Sequence, residues 1–358
     1  MNPGKTPVTL QDIADRTGFG LSTVSLALRR HPSLRQSTGD TIRRAAEEMG
    51  YAPNPLVAAL MSQVRDKRRA RRERLALISR MGETMTKQAH RDTFYPLLYK
   101  SIVEHADTRG FGIDEFYMGK DLASDARLSG ILVARGIHGV LFFPGNSASG
   151  LEYPALDWTR FASVLIGFNT TREGLHQVVS DYVYDIDHAL KRIREGRGGD
   201  ERRIGLSITR LVDRATNQSW TSRFLRYQHE IPEKLRVPLL LADSDKAHRT
   251  EVVGWYRKHR PEVILVSGDG ARNNLLEAGV RSPRDVHLVN LVQRGEPGLA
   301  GIDPHTEEVG HAAVDLLVSL LQTNQRGLAT FPRTISLKGH WVPGASFPEA
   351  PEKSAMRQ

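Results

Sequence analysis

The stretch TLQDIADRTGFGLSTVSLALR, residues 9–29, decides how this 358-residue chain begins. Thr9, with Asp12 three residues later, is a helix start signal, because each side chain can satisfy a backbone N–H that a first turn leaves unpaired. Leu10, Ile13 and Ala14 then fall on one face of a short helix. Gly18-Phe19-Gly20 interrupts it, and Leu21 to Arg29 forms a second short helix with Val24 and Leu28 one turn apart. After a loop containing Pro32, residues 38–49 carry Ile42, Ala45, Ala46 and Met49 at helical spacing, closed by Gly50. Helix, glycine-containing turn and short second helix together predict a helix-turn-helix, whose second helix enters the DNA major groove. A plain three-helix bundle shares the geometry, so the surrounding sequence has to decide between them.

Charge favours the nucleic-acid reading. Residues 1–74 hold 14 Lys and Arg against 7 Asp and Glu, whereas the rest of the chain holds 36 against 34. A basic terminus on a near-neutral body is the footprint of a DNA-binding head on a body with a different task. Much of the excess sits in RDKRRARRER at 65–74, which reads as a linker that adds phosphate attraction or is merely solvated. With no cysteine at all, disulfides, zinc fingers, iron–sulfur sites and thiol catalysis are excluded together. No apolar run approaches the roughly 20 residues of a membrane span, and the first residues lack the apolar core of a signal peptide. The expected location is therefore the cytoplasm, away from the membrane.

From residue 75 the pattern becomes short apolar runs alternating with amphipathic stretches. LALIS (75–79), GVLFF (139–143), SVLIGF (163–168), RIGLSI (203–208), EVILVS (262–267) and VHLVNL (286–291) read as buried parallel strands. Helical stretches at 95–109, 184–195, 217–230 and 306–321 separate them. The alternation predicts an α/β body with parallel sheets, and its length favours two sheets over one.

Three segments carry a family resemblance. Thr9–Ala14 fits a T-[IL]-x-D-[IV]-A head, Thr23–Ser25 a T-V-S core, and Gly50–Asn54 a G-Y-x-P-N ending; with the surrounding residues they resemble the DNA-binding head of the LacI/GalR repressor family. The resemblance implies base reading by Leu21, Ser22 and Leu26. It implies phosphate contact or its support by Thr9, Leu10, Thr23, Ser25, Arg29, Thr38, Tyr51 and Asn54. Leucines offer only apolar contact, for instance to thymine methyls, so major-groove readout is expected to be undemanding. Asn54–Met61 resembles the family's hinge helix, with Asn54 a good N-cap and Pro55 suited to the first helical position. Val57 lies on it, and Leu60 matches the leucine that wedges into the minor groove. At about eight residues such a helix is marginal alone and needs a partner. A homodimer on double-stranded operator DNA follows as the expectation.

The remainder resembles the family's effector domain, a periplasmic-binding-protein-like fold of two lobes joined by three crossovers. The implied division is a helix-turn-helix domain at 1–53, hinge and basic linker at 54–74, a two-lobed domain at 75–345 and a tail at 346–358. Lobe one is expected at about 75–178 and 302–331, lobe two at about 179–301 and 332–345. Ligands of parallel sheets meet the loops at C-terminal strand ends. That nominates Phe94, Tyr95 and Asn146 in the first lobe, and Asp213, Asn217 and Trp220 in the second. Gly268, Asp269 and Asp303 follow them. Aromatic rings beside amides and carboxylates suit a sugar-like effector.

Catalytic signals are missing. None of the 13 histidines forms H-x-x-x-H or H-E-x-x-H spacing. There is no G-x-S-x-G elbow and no phosphate-binding G-x-x-x-x-G-K-[ST] loop. No catalytic residue, metal site or cofactor is expected. The reading is a ligand-responsive DNA-binding repressor; its rivals are an architectural DNA-binding protein without effector and an enzyme tethered to DNA.

Overall fold

The computed structural model describes residues 8–28, 34–51, 73–79, 94–117, 125–143, 156–168, 174–196, 199–295 and 297–348. The head holds α1 (Leu10–Thr17), α2 (Leu21–Leu28) and α3 (Gln36–Glu48). The capping box forms: Asp12 N–H donates to Thr9 Oγ1 at 3.3 Å, and Thr9 N–H donates to Asp12 Oδ2 at 2.7 Å. These bonds from Thr9 hold the Asp12 carboxyl below its ordinary range. Ile13, Ala14, Val24, Ala27, Ile42 and Ala46 form the head's small core, with Leu10, Phe19, Leu28, Met49 and Tyr51 packed around it.

The body contains two six-stranded sheets. The first comprises β1 (Glu73–Ser79), β2 (Phe111–Tyr117), β3 (Gly139–Phe143), β4 (Ala162–Ile166), β5 (His176–Ser180) and β11 (Thr334–Leu337), ordered β2-β1-β3-β4-β5-β11. The second comprises β6 (Ile204–Thr209), β7 (Leu240–Ala242), β8 (Val263–Val266), β9 (His287–Asn290), β10 (Ala300–Asp303) and β12 (His340–Val342), ordered β7-β6-β8-β9-β10-β12. The two windings are the same, and every pairing is parallel except β10 with β12. The helices are α4 (Phe94–Thr108), α5 (Asp125–Ala134), α6 (Tyr182–Glu195), α7 (Arg210–Ala215), α8 (Ser219–Glu230), α9 (Asp245–His259), α10 (Gly270–Glu277) and α11 (Thr306–Gln322). Each sheet is buried on both faces, which is why its central strands read as continuous apolar runs. Against the first sheet α11 lies close to α4, and a Cβ at Gly310 would come within 2.1 Å of Ser101 Oγ.

The chain passes between the sheets three times: from β5 into α6, from β10 into α11, and from β11 to β12. The third passage differs from expectation. The sequence places residues from 332 in the second lobe, yet Thr334–Leu337 pairs with β5 in the first sheet. This is an exposed edge strand with polar residues, so it carried no apolar run to mark it. The body also extends past 345. Ser346 Oγ donates to Leu288 O at 2.6 Å and Phe347 is buried in the second lobe's core, so the tail begins later than 346. Among the described residues no helix is long and apolar enough to cross a membrane.

Candidate nucleic-acid interface and ligand site

The second helix of the head presents one face and buries the other. Val24 and Ala27 are buried, while Leu21, at 45% exposure, and Ser22 lie open at its N-terminal end. Thr23, Ser25 and Leu26 are half-buried along its flank. The end is fixed by Gly20, whose carbonyl accepts from Thr23 N–H at 2.8 Å and Val24 N–H at 3.0 Å. The other end is held by Arg43, whose Nη1 donates to Ala27 O at 2.9 Å. Thr9 is exposed at the N-terminus of α1; Leu10, Thr38 and Tyr51 are half-buried. Arg29, Asn54, Val57, Leu60 and Asn146, most of the basic run and the side chain of Phe94 lie outside the described residues.

In both sheets the strand order reverses beside the first strand of its set, between β1 and β3 and between β6 and β8. Such a switch point is where open parallel sheets hold ligands, at the C-terminal strand ends. Several expected residues lie there in altered roles. Tyr95 is only 5% exposed and packs edge-to-face on Phe143 at the end of β3, with ring centroids 5.2 Å apart. Asp213 is buried on α7 and accepts a 2.5 Å bond from Thr221 Oγ1. Asn217 is exposed in the short link from α7 to α8, at φ 52°. Trp220 is 1% exposed, so the stacking face expected of it is covered. Its indole packs edge-to-face on Tyr182 at 5.5 Å, and Tyr182 in turn lies 5.9 Å from Phe168. Asp269, after β8, is exposed. Asp303 lies apart from these on the second crossover, where its Oδ1 accepts from His305 N–H at 2.8 Å.

Four functional candidates were missed. Phe168 and Tyr182 sit just past β4 and β5, and Arg294 is close enough to Tyr182 to act on its hydroxyl, whose pKa burial pushes up. Locating β5 would have exposed Tyr182, which then stands at a strand end. Asn290 was missed as well. It is fully buried and its Oδ1 accepts from Gly268 N–H at 3.0 Å and Val292 N–H at 3.1 Å, joining the loops after β8 and β9. Buried Ser79 Oγ at the end of β1, Trp220 Nε1 on α8 and Thr306 Oγ1 at the start of α11 lack any hydrogen-bond partner among the described residues. Buried polar groups are rarely left so, which makes them receptive to a polar ligand.

Comparison with known proteins agrees with this layout. Residues 9–54 match bacterial regulatory proteins of the lacI family, and residues 197–347 match the periplasmic binding protein-like domain. The HTH-type transcriptional repressor PurR of Edwardsiella ictaluri is 21% identical over 90% of this chain and 93% of its own length. Among solved structures, the transcriptional regulator CelR–cellobiose complex superposes with a TM-score of 0.56 at 19% identity, covering 95% of this chain and 99% of that one. The lac repressor dimer bound to operator and the anti-inducer ONPF gives 0.57 at 16% identity, covering 96% and 100%. At these identities the structural likeness concerns the fold.

Proposed function

From the premise that this chain belongs to the lacI family of bacterial regulatory proteins, we propose that it is a repressor that binds a pseudo-palindromic operator as a homodimer and responds to a sugar-like effector. DNA-binding transcriptional regulation, as opposed to enzymatic activity, comes with the family. The operator reading is carried by α2, whose open N-terminal end offers Leu21 and Ser22 while its inner face is locked into the head's core. One such helix per chain reads one half-site, so two chains cover a site of roughly 14–20 base pairs. The effector reading is supported by the unpartnered buried atoms Ser79 Oγ, Trp220 Nε1 and Thr306 Oγ1, whose hydrogen-bonding capacity suits a hydroxyl-rich ligand. The solved CelR relative carries cellobiose, a sugar. Ligand binding disfavours the DNA-bound state, and the protein acts in the cytoplasm.

Sites selected from a random DNA pool, followed by anisotropy titration, test the operator reading. Leu21→Ala is expected to leave thermal stability unchanged, since Leu21 is exposed. It should weaken selected-site binding by about 1–3 kcal/mol, as for one lost base contact, with random-sequence binding, which is phosphate-driven, barely altered. Equal loss on both DNAs would refute base reading, and a monomer on DNA at saturation would refute the dimer.

A panel of mono- and disaccharides is then titrated against the protein–DNA complex. The active sugar is expected to lower affinity about 5- to 150-fold, the usual range of allosteric coupling. Asn217→Gly, which keeps the left-handed backbone accessible and removes the amide, should abolish that response and spare ligand-free DNA binding. No response to any sugar would leave the architectural alternative standing.

A further inference from the structure

The geometry points to a divalent transition-metal site where the second and third crossovers meet, with Asp303, His305 and His340 as its ligands. The three residues come from distant parts of the chain and are brought together by the fold. Asp303 and His340 are direct partners in the antiparallel β10–β12 pair, so their side chains stand on the same face. His305 follows two residues after Asp303, in a left-handed conformation at φ 55° and ψ 53° that turns the chain into α11. One ligand atom from each of the three lies within 4.8 Å of the others.

The two imidazoles are closer still. His340 Nδ1 stands 3.1 Å from His305 Nε2, and the rings stack with centroids 4.6 Å apart. Ligands held about 2.0–2.1 Å from a tetrahedral zinc are separated by roughly 3.4 Å, so the two nitrogens already have nearly the required spacing. A side-chain rotation brings in the Asp303 carboxylate, and the exposed side of His340 leaves a fourth position to water. Two imidazoles with one carboxylate favour zinc, nickel, cobalt or copper over magnesium or calcium, which take oxygen ligands.

On the Asp303 side of the cluster the surrounding charge also suits a cation. Asp181, Asp185 and Asp303 gather at the crossovers, and the first and last both act to repel charge from the Asp185 carboxyl. Among the described residues no Lys or Arg forms an ion pair with any of the three. The third crossover is pressed into place at this point, because a Cβ at Gly339 would lie 2.6 Å from Asp303 O. An ion here ties two of the three segments that join the lobes. Asp303 then belongs to this site instead of the effector site.

The test uses the untagged full-length chain, stripped with chelator and titrated calorimetrically with zinc chloride in a non-chelating buffer. One equivalent per chain is expected, with cobalt chloride giving the visible absorption of imidazole coordination. His340→Gln and His305→Asn should each weaken zinc binding at least about 10-fold and remove the cobalt band; asparagine is chosen at 305 because it tolerates positive φ. Zinc should raise the unfolding midpoint of the wild type and not of either variant. Wild type that takes up no zinc would reduce the pair to a neutral imidazole–imidazole hydrogen bond. One equivalent retained by both variants would assign the metal to other histidines. Either result overturns the site.

Discussion

Replacing Trp220 with alanine is expected to destabilise the second lobe by about 3–5 kcal/mol, the cost of deleting a large buried aromatic side chain. The indole is 1% exposed and packs with Phe224, Tyr227, Ile186 and Leu206 in one cluster. Its ring also meets Tyr182 edge-to-face, a geometry worth about 0.5–1.5 kcal/mol beyond its area. Against this, the unpartnered Nε1 atom is a buried donor whose removal recovers a fraction of the loss. The net effect remains strongly unfavourable. At about 2–4 °C per kcal/mol for a lobe of this size, the midpoint followed by circular dichroism should fall by roughly 6–20 °C. Trp220→Phe keeps most of the apolar volume and deletes the orphan N–H, so it should cost much less. If Trp220→Ala unfolds with the wild type, the indole is not part of the core. If Trp220→Phe is stable yet loses the sugar response, Nε1 is a ligand contact; if it keeps the response, the residue acts through packing alone.

That ambiguity over Trp220 shows how far the sequence could be read. The central strands announced themselves, because a strand covered on both faces must be apolar throughout; Val263–Val266 and Gly139–Phe143 are of this kind. Edge strands do not meet that condition. Thr334–Leu337 and Phe111–Tyr117 carry polar residues, and their strand identity comes from pairing with β5 and β1. The head was legible because a capping box and a glycine turn are local devices. Thr9, Asp12 and Gly18 do their work within a few residues of one another. The ligand site was less so, since whether Tyr95 or Trp220 faces a ligand or a core depends on elements far away in sequence. The histidine pair lay furthest from view. His305 and His340 are 35 positions apart, and only the β10–β12 register brings them together, so no search for local metal-binding spacing could find them.

Asp185→Asn is expected to stabilise the protein at alkaline pH, by an amount that vanishes in acid. Asp185 is fully buried in the first turn of α6. One carboxylate oxygen accepts from Gly339 N–H at 2.8 Å, and the other has no partner among the described residues. Burial pushes its pKa from 3.8 up to about 7; the Gly339 bond opposes this, and the nearby Asp181 and Asp303 charges add to it. A carboxyl with a raised folded-state pKa contributes stability that is fully present below its unfolded pKa and is lost as pH rises through the folded one. The wild type should therefore lose stability from this group between about pH 4 and about pH 7, and little beyond. At about 1.4 kcal/mol per pKa unit, the total is at most roughly 4 kcal/mol. An asparagine oxygen can keep the Gly339 bond without ever carrying charge. The whole-protein profile hides this, because burial lowers the pKa of His138, His176, His188, His248 and His287. Those groups make stability rise with pH up to about 6.5, the opposite sign across an overlapping window. The informative quantity is the difference between variant and wild type, measured by urea unfolding in chelator at a series of pH values. That difference should be near zero at about pH 4 and grow until about pH 7, then level off. A constant difference would mean that Asp185 keeps an ordinary carboxyl pKa and that its burial is relieved in solution.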